Sequence, residues 1–425
     1  MIKKEDILEA LSNIEDPDLH KDIVSLGFIQ ELIIDGSTIS FAIELTIAGC
    51  PLKNMFKEEA ERVVLAISGV EKVHIVMTSK DRKRSNESDS LKGVKNVVAV
   101  ASAKGGVGKS TVSATIASEF ATKGFKVGLL DTDLFGPSLP TLFNQHDVKI
   151  LQKNKMIIPH EYNGIKLMSF AWLMGDSPAI MRGPMVSGYI QQILTGVDWG
   201  ELDYLFIDMP PGTGDIQLTI SQTIKLDGAL IVTTRSSLSL VDVVKGILMF
   251  EKVEIPILGV IENMSHFICD NCNKEHYIFG ENRGDLSKRF GIETLAHIPI
   301  ESERAKTFEN YATNQVNSEL LEMVIRQLGA LSANTINPPE VLLTNKNVEI
   351  QWDDGNRKIF KNVELRNSCK CALCVDEYTG KKTLKKENIP DDIHGLESIQ
   401  LGNYAVSIKW SDGHNSSIYP YSSLK

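Results

Sequence analysis

Cysteine is scarce in this sequence, with six residues among 425. That number is too small for a disulfide scaffold, and the close spacing of five of the six indicates metal or redox chemistry in a reducing cytoplasm. No run approaches the ~20 apolar residues that a membrane-spanning helix needs. The first residues lead into an amphipathic pattern without an apolar signal core, so we expect no export.

Positive charge is also in short supply. Lys and Arg number 45 against 55 Asp and Glu, which gives a formal net charge of −10. Broad electrostatic binding to nucleic acid or to an anionic membrane needs an excess of positive charge, so we expect neither partner. The length suggests about three domains at roughly 150 residues each.

Hydrophobic periodicity divides the chain into three α/β or β-rich blocks. The first predicts a small α/β domain with a hairpin at Asp35-Gly36. The second alternates apolar runs with amphipathic helices, which predicts a mostly parallel sheet covered on both faces by helices. The third has short strands and Asp-Gly turns, so we expect it to be β-rich. The predicted boundaries are 1–78, a charged linker at 79–95, 96–333, a second linker at 334–339, and 340–425.

A glycine-rich loop follows the first strand of the central block, Val97–Ala101, and leads into a helix. Glycines let backbone N–H groups converge on phosphate oxygens, and the helix directs its positive end toward them. The standard spacing has glycine where this chain has Ala103. A chance glycine-rich turn is the alternative, but the strand before and the helix after favour a nucleotide site. The candidate residues are Lys104, Gly105, Gly106, Val107, Gly108, Lys109, Ser110 and Thr111.

Polar side chains follow three further strands at ends that a parallel sheet brings together. Asp131 and Asp133 form a carboxylate pair able to position water and a metal. Asp208 would hold Mg²⁺ through water, and the Pro/Gly segment after it would sense the γ-phosphate. Asn263 offers a donor and an acceptor for a base edge. One such aspartate alone is compatible with a helix cap, but the features in this order indicate an ATP site.

These motifs resemble a known family. Lys104-Gly-Gly-Val-Gly-Lys-Ser resembles the deviant Walker A motif of the MinD/ParA/nitrogenase-iron-protein class, in which a lysine crosses a dimer to the partner's nucleotide. The segments that begin at Asp131, Met181, Asp208 and Glu262 are similar to those of the Mrp/ApbC family of iron–sulfur cluster carriers. The resemblance covers essentially all of the central block and implies a P-loop NTPase fold.

The resemblance also implies individual roles. It assigns phosphate contacts to Lys104 and Lys109. It assigns Mg²⁺ to Ser110 and Asp208. It assigns orientation of the attacking water to Asp133 and recognition of adenine to Asn263.

Cys269 and Cys272 lie a few residues after Asn263. Two thiolates cannot complete a tetrahedral zinc site or a four-cysteine cluster. A twofold homodimer supplies four sulfur ligands on its axis, and the resemblance places a bridging 4Fe–4S cluster there. One alternative is a zinc site closed within one chain by His266 and His276. A redox pair would open a helix, whereas the following residues predict a turn and a strand.

Cys50 precedes Pro51 at a predicted helix start, where the helix dipole should lower the thiol pKa and make it a metal or exchange ligand. The segments Asp16–Leu19 and Gly49–Leu52 resemble the small domain of cytosolic iron–sulfur assembly factors. The alternative is a buried, inert thiol.

The C-terminal block carries Cys369, Cys371 and Cys374, which together with His414 form a closed ligand set typical of structural zinc. This block resembles the small zinc-containing N-terminal domain of γ-butyrobetaine hydroxylases. Because the oxygenase iron ligands have no counterpart here, we do not expect that activity. A surface role for His414 and transient cluster binding by the thiols are the alternatives.

We therefore predict a cytoplasmic, homodimeric ATPase that uses ATP and Mg²⁺, hydrolyses slowly, and transfers a 4Fe–4S cluster to apo-proteins. Nucleotide can move the cluster only if two dimer states bind it unequally. A MinD/ParA-like positioning ATPase needs a basic face or an amphipathic anchor, and the sequence supplies neither. Two competing hypotheses are an ATP-dependent electron donor and a zinc-stabilised, ATP-dependent scaffold.

Overall fold

The computed structural model describes all of the chain except residues 1, 20, 48, 80–90, 135, 175–182, 213, 236, 270, 279–290, 301–314, 333–338, 353–354, 372, 376–380, 402–404, 416 and 425. Most of both predicted linkers, and Met181 and Arg182 of one family motif, lie outside the described residues. The chain forms two compact units. One comprises Met1–Arg82 and Leu321–Ile336, and the other comprises Lys83–Leu320 and Asn337–Lys425. The domain boundaries drawn from the sequence stay a prediction.

The first unit is a small α/β fold. Its elements are α1 (Lys4–Leu11), β1 (Glu15–Asp16), β2 (Lys21–Asp22), β3 (Ile29–Asp35), β4 (Thr38–Leu45), α2 (Lys53–Leu65) and β5 (Lys72–Ser79). Strand β4 is central, antiparallel to β3 and parallel to β5. Gly36 makes the predicted β3–β4 turn at φ +60°, where a Cβ would be strained. Ile7, Phe41 and Phe56 are buried between the helices and the sheet.

An eight-stranded sheet organises the second unit. Its strands, in spatial order, are β10 (His160–Tyr162), β11 (Ile165–Ser169), β7 (Val127–Asp131), β12 (Leu202–Asp208), β6 (Val94–Ala101), β13 (Gly228–Thr233), β14 (Ile257–Glu262) and β17 (Thr294–His297). Neighbours are parallel, except that β10 and β11 are antiparallel. Every residue of β7 and β13 is buried, which explains their unbroken apolar runs. The predicted mostly parallel sheet is confirmed.

Helices and two small hairpins complete the central region. The helices are α3 (Lys109–Thr122), α4 (Leu139–Leu142), α5 (Phe170–Met174), α6 (Gly183–Thr195), α7 (Asp215–Thr223) and α8 (Ser237–Lys252). Helix α9 (Gln315–Ser332) begins here, and its residues from Leu321 onward belong to the first unit. The hairpins pair β8 (Leu151–Lys153) with β9 (Met156–Ile158) and β15 (Phe267–Ile268) with β16 (Glu275–His276). None of the helices in the described part of the chain is both long and apolar enough to cross a membrane.

The C-terminal region is β-rich, as predicted. Two antiparallel three-stranded sheets consist of β18 (Glu340–Leu343), β19 (Asn347–Gln351) and β20 (Arg357–Lys361), and of β21 (Gly395–Leu401), β22 (Ala405–Trp410) and β23 (Ser417–Pro420). Helices α10 (Asn362–Asn367) and α11 (Tyr421–Leu424) and a 3₁₀ turn (Lys386–Asn388) accompany them. Leu401, Ala405 and Ile418 join the hydrophobic core of the central sheet, so this region packs onto the P-loop fold.

Candidate functional site

The loop between β6 and α3 has the backbone that the glycines predict. Gly106 and Gly108 adopt φ values of +80° and +77°, which glycine tolerates without strain. A Cβ at Gly108 would lie 2.3 Å from Nδ2 of Asn263. That Nδ2 donates to the carbonyl oxygen of Val107 at 2.9 Å. Asn263, predicted to recognise a base, therefore also fixes the loop backbone.

A buried ion pair lies at the base of this loop. Lys109 Nζ donates to Oδ1 of Asp208, which also accepts from Ser113 Oγ at 2.9 Å. Lys109 is 6% exposed and Asp208 is fully buried. Oδ2 of Asp208 is buried and has no hydrogen-bond partner among the described residues. A buried, unsatisfied carboxylate oxygen fits a hydrated Mg²⁺, so the site suits the expected cofactor.

Sequence reasoning missed Ser113. It lies four residues after Lys109 in α3, and the i,i+4 spacing puts both side chains on the face that meets β12. Lys109 Nζ also donates to Ser110 Oγ at 3.3 Å. The predicted Mg²⁺ residues Ser110 and Asp208 are therefore both within reach of one ammonium group.

The two carboxylates after β7 have different environments. Asp131 is fully buried; its Oδ1 accepts the Asp133 N–H at 3.0 Å, and its Oδ2 accepts the Ser138 N–H at 3.0 Å. Burial, reinforced by the charge of Asp208, raises the pKa of Asp131 to about 7. Asp133 is half-buried and accepts the Gly136 N–H at 3.2 Å. Asp131 shapes the loop, and Asp133 is the more accessible carboxylate.

The remaining loop residues lie beside the segment after β12. Gly212 donates its N–H to Ser102 O at 2.9 Å, and Ser102 Oγ donates to Lys104 O at 2.8 Å. Lys104 is half-buried, Gly105 and Gly106 are exposed, and Thr111 is half-buried in the first turn of α3, next to Ser110. The P-loop and the segment after β12 are therefore joined by a backbone hydrogen bond.

The paired cysteines lie in the loop of the β15–β16 hairpin. Cys269 donates its N–H to Lys274 O at 3.0 Å, and Asn273 donates its N–H to Cys269 O at 2.8 Å. The predicted turn and strand after Cys272 are confirmed. Cys272 is exposed and Cys269 is half-buried, so the pair is accessible to a partner.

His276 lies close to this pair. The ligand atoms of Cys269, Cys272 and His276 all lie within 4.8 Å of one another. His266 is not part of the group: its Nδ1 is 2.8 Å from Ser265 Oγ. A four-ligand zinc site that uses both imidazoles is therefore not formed among the described residues.

A polar network that sequence reasoning missed links the end of β14 to this hairpin. Arg235 Nε donates to Glu262 Oε2 at 2.9 Å, and His297 Nδ1 lies 2.7 Å from the same oxygen. Burial would raise the pKa of Glu262, but the hydrogen bonds from His297 and Arg235 outweigh it and lower the pKa. The Arg235 guanidinium lies 5.0 Å from the centroid of the Tyr277 ring, a cation–π distance. Residues beside Asn263 and beside the cysteine hairpin are thus in contact.

The structure brings the four candidate ligands of the C-terminal region together. His414 Nε2 lies 3.4 Å from Cys369 Sγ, 3.5 Å from Cys371 Sγ and 3.9 Å from Cys374 Sγ. Tetrahedral zinc, with Zn–S of about 2.3 Å and Zn–N of about 2.0 Å, requires ligand separations of roughly 3.5–3.8 Å. The three thiols are buried. The residues present therefore fit a closed structural zinc site.

A supporting arginine was not predicted. Arg366 in α10 donates through Nη1 to Cys374 Sγ at 3.3 Å and through Nε to Asp412 Oδ2 at 2.8 Å. Asp412 Oδ1 accepts the His414 N–H at 3.1 Å. Such outer contacts orient metal ligands. The sequence signal that was available for Arg366 is its position on a short helix, three residues before Cys369.

The prediction of a lowered pKa for Cys50 is wrong. Burial raises its pKa to about 11, and the backbone N–H of Leu52 does not offset burial and the nearby charges of Asp16 and Asp18. Both carboxylate oxygens of Asp18 accept from Arg326 Nε at 2.9 Å, and Arg326 Nη2 donates to Oδ1 as well. These surroundings favour the inert-thiol alternative.

Three family models match the chain. Residues 93–328 match the NUBPL iron-transfer P-loop NTPase model. Residues 4–75 match the iron-sulfur cluster assembly protein model, and residues 341–425 match the gamma-butyrobetaine hydroxylase-like, N-terminal model. The three matches together span most of the sequence.

Similar proteins carry related names. The chain is 41% identical over 443 residues to the Fe-S cluster assembly factor HCF101, chloroplastic, of Arabidopsis thaliana, covering 99% of this chain and 82% of that protein. It is 40% identical over 310 residues to the iron-sulfur cluster carrier protein of Synechocystis, covering 71% of this chain and 88% of that protein. A solved nucleotide-binding protein from Archaeoglobus fulgidus, in complex with ADP, is 38% identical, with a TM-score of 0.47 over 57% of this chain and 90% of that one.

Proposed function

The chain belongs to the NUBPL iron-transfer P-loop NTPase family, and on that premise we propose that it is an ATP-hydrolysing carrier of iron–sulfur clusters. The observation that carries the proposal is the hairpin with exposed Cys272 and half-buried Cys269. It follows Asn263, a residue that contacts the P-loop, by a few positions. One fold thus contains a nucleotide site and a site with half of the sulfur ligands that a cluster needs. This combination suits a carrier whose affinity for its cluster depends on the bound nucleotide.

At the nucleotide, the chain's own residues divide the work. Lys104 and Lys109 would neutralise phosphate charge, and the N–H groups of the loop and of the first turn of α3, through Thr111, would donate to the phosphate oxygens. Ser110 and the unsatisfied Oδ2 of Asp208 would hold Mg²⁺, which supplies charge neutralisation at the phosphates. Asp133, the accessible carboxylate, would orient water.

The cargo site is completed by a second copy of the chain. Each protomer offers Cys269 and Cys272, whereas a 4Fe–4S cluster takes four thiolates. A twofold axis through the hairpins supplies them. The exposure of Cys272 supports this arrangement, because an exposed site opens when the subunits rotate or separate. Apo-proteins would then accept the cluster as it is released.

Coupling requires that ATP change the affinity of the dimer for the cluster. Nucleotide shifts an equilibrium only by its differential affinity for the two states. Asn263 donates a hydrogen bond to the P-loop, and its neighbour Glu262 accepts one from Arg235. The Arg235 guanidinium in turn lies over the ring of Tyr277, beside the hairpin. This contact chain connects the nucleotide site to the cysteine hairpin, and slow hydrolysis of ATP would reset the cargo site through it.

The flanking regions have supporting roles. The C-terminal Cys₃His set would hold structural zinc, whose four ligands leave no open position for chemistry. The N-terminal unit, with Cys50 near two carboxylates, would serve cluster assembly through contacts with partner proteins. We place the protein in the cytoplasm, where thiols stay reduced; one relative is named as chloroplastic.

Anaerobic reconstitution with iron and sulfide tests the proposal. We expect about one 4Fe–4S cluster per dimer, seen as broad visible absorption and as matching iron and acid-labile sulfide. Cys269→Ser and Cys272→Ser should each abolish it, whereas Cys50→Ser, the thiol control, should not. A colourless wild-type protein would contradict the assignment and favour the zinc scaffold, and a cluster retained in both variants would show that other thiols hold it.

A further inference from the structure

We propose that His276 joins Cys269 and Cys272 in a mononuclear zinc site within a single protomer. The site shares both thiols with the bridging cluster and therefore competes with it, and it is distinct from the C-terminal Cys₃His set. Its existence does not depend on the proposed function. Its consequence for cargo loading does rest on that function.

Hairpin geometry explains why these three residues converge. His276 is paired with Phe267 across the two strands, and Cys269 lies two residues after Phe267. Side chains at i and i+2 of a strand share a face, and diagonal cross-strand neighbours are within reach of long side chains. Cys269 and His276 therefore share one face of the hairpin. The turn then folds Cys272 back toward them, with Asn273 at φ +52°.

The distances suit one metal ion. All three ligand atoms lie within 4.8 Å of one another, and a tetrahedral zinc ion requires separations of roughly 3.5–3.8 Å. Small side-chain rotations close that difference, because Cys272 and His276 are exposed. Two sulfurs and one imidazole leave the fourth position for water, as in zinc sites with three protein ligands.

The binding reaction balances without a further reactant. Zn²⁺ displaces one proton from each of the two thiols and accepts the lone pair of the neutral imidazole, so two protons are released. Zinc lies above ferrous iron in the stability order of divalent ions, so it is favoured at a site that both can enter.

Zinc in one protomer excludes the shared cluster. The zinc ion binds both thiolates that its chain would contribute to a bridging cluster, so the cluster loses two of its four ligands. His276 is the one zinc ligand that the cluster does not need. Without His276, two thiolates hold zinc weakly, while the cluster keeps its four sulfurs. His276 thus determines how strongly zinc competes with cargo at this hairpin.

Cobalt titration of the full-length chain tests the site. Co²⁺ bound through thiolates gives charge-transfer and d–d absorption, and a Cys269→Ser/Cys272→Ser double variant supplies the blank for the C-terminal site. We expect one equivalent above the blank in the wild type. His276→Gln should weaken it by at least about tenfold, since even outer-shell partners of metal ligands are worth 10–100-fold in affinity. His266→Gln, a nearby imidazole outside the group, should bind as the wild type does.

A second measurement separates this proposal from the proposed function. Preloading with Zn²⁺ should block cluster reconstitution in the wild type and in His266→Gln but much less in His276→Gln, which should load the cluster normally when zinc is absent. Equal Co²⁺ affinity in the wild type and His276→Gln, or no Co²⁺ above the blank, would overturn the zinc site. Failure of the wild type to load any cluster would instead overturn the carrier assignment.

Discussion

The buried Lys109–Asp208 pair makes a quantitative prediction. Lys109→Met keeps most of the aliphatic stem but leaves the carboxylate of Asp208 fully buried without its cation. Its Oδ2 already lacks a partner in the described part of the chain, and Ser113 alone would support Oδ1. Removing one member of a buried pair costs about 3–5 kcal/mol.

That cost is measurable by calorimetry. One kcal/mol shifts the midpoint by about 2–4 °C in a domain of 150–250 residues, so Lys109→Met should lower the transition of the central domain by about 6–20 °C. The transition is identified in the wild type by its upward shift with ATP and Mg²⁺. Asp208→Asn should cost less, because the flexible lysine stem can carry its charge toward the open loop.

The double variant provides the decisive comparison. Lys109→Met combined with Asp208→Asn removes the uncompensated charge and retains a side-chain acceptor for Ser113, so it should recover at least half of the loss. Nucleotide binding should be weak in both variants, because both lack the phosphate-contacting Lys109. If Lys109→Met melts as the wild type does, or if the double variant is no more stable than Lys109→Met, the ion pair does not stabilise the fold through charge compensation.

Four further outcomes are expected. Cys371→Ser should lose about one zinc per chain in a chelator assay, because a closed structural site needs all four ligands; retention of that zinc would refute the assignment. Cys50 should react slowly with iodoacetamide near neutral pH and faster as the pH approaches 11, since its pKa is raised to about 11; rapid labelling at pH 7 would contradict this. Asp131 has its pKa raised from 3.8 to about 7, so its contribution to stability is full below pH 3.8 and is lost as the pH rises through 7. Asp131→Asn should flatten that part of the profile of unfolding free energy against pH, and an unaltered slope would show that another group titrates. Arg235→Ala should speed alkylation of Cys269, the half-buried thiol of the hairpin, by about 2- to 30-fold, which corresponds to a cation–π contact of 0.5–2 kcal/mol, and an unchanged rate would show that the hairpin does not depend on this contact.

The sequence alone determined the features that depend on local chemistry. Gly106 and Gly108, between a buried strand and a helix, permit the positive φ values that the P-loop backbone needs. The unbroken apolar runs of the central strands predict a sheet covered on both faces. Three cysteines within six residues, with a histidine forty residues later, matched a metal site because metal ligation restricts residue types so strongly.

Tertiary structure decided what depends on burial and on residues distant in sequence. The raised pKa of Cys50 arises from packing and from Asp16 and Asp18, which lie more than thirty positions away, so a helix-dipole argument had the wrong sign. Ser113 and Arg235 gained their roles only when α3 met β12 and when β13 ended beside the cysteine hairpin. Electrostatic energies depend on distance and on the local dielectric environment, and the order of residues along the chain specifies neither until the fold is formed.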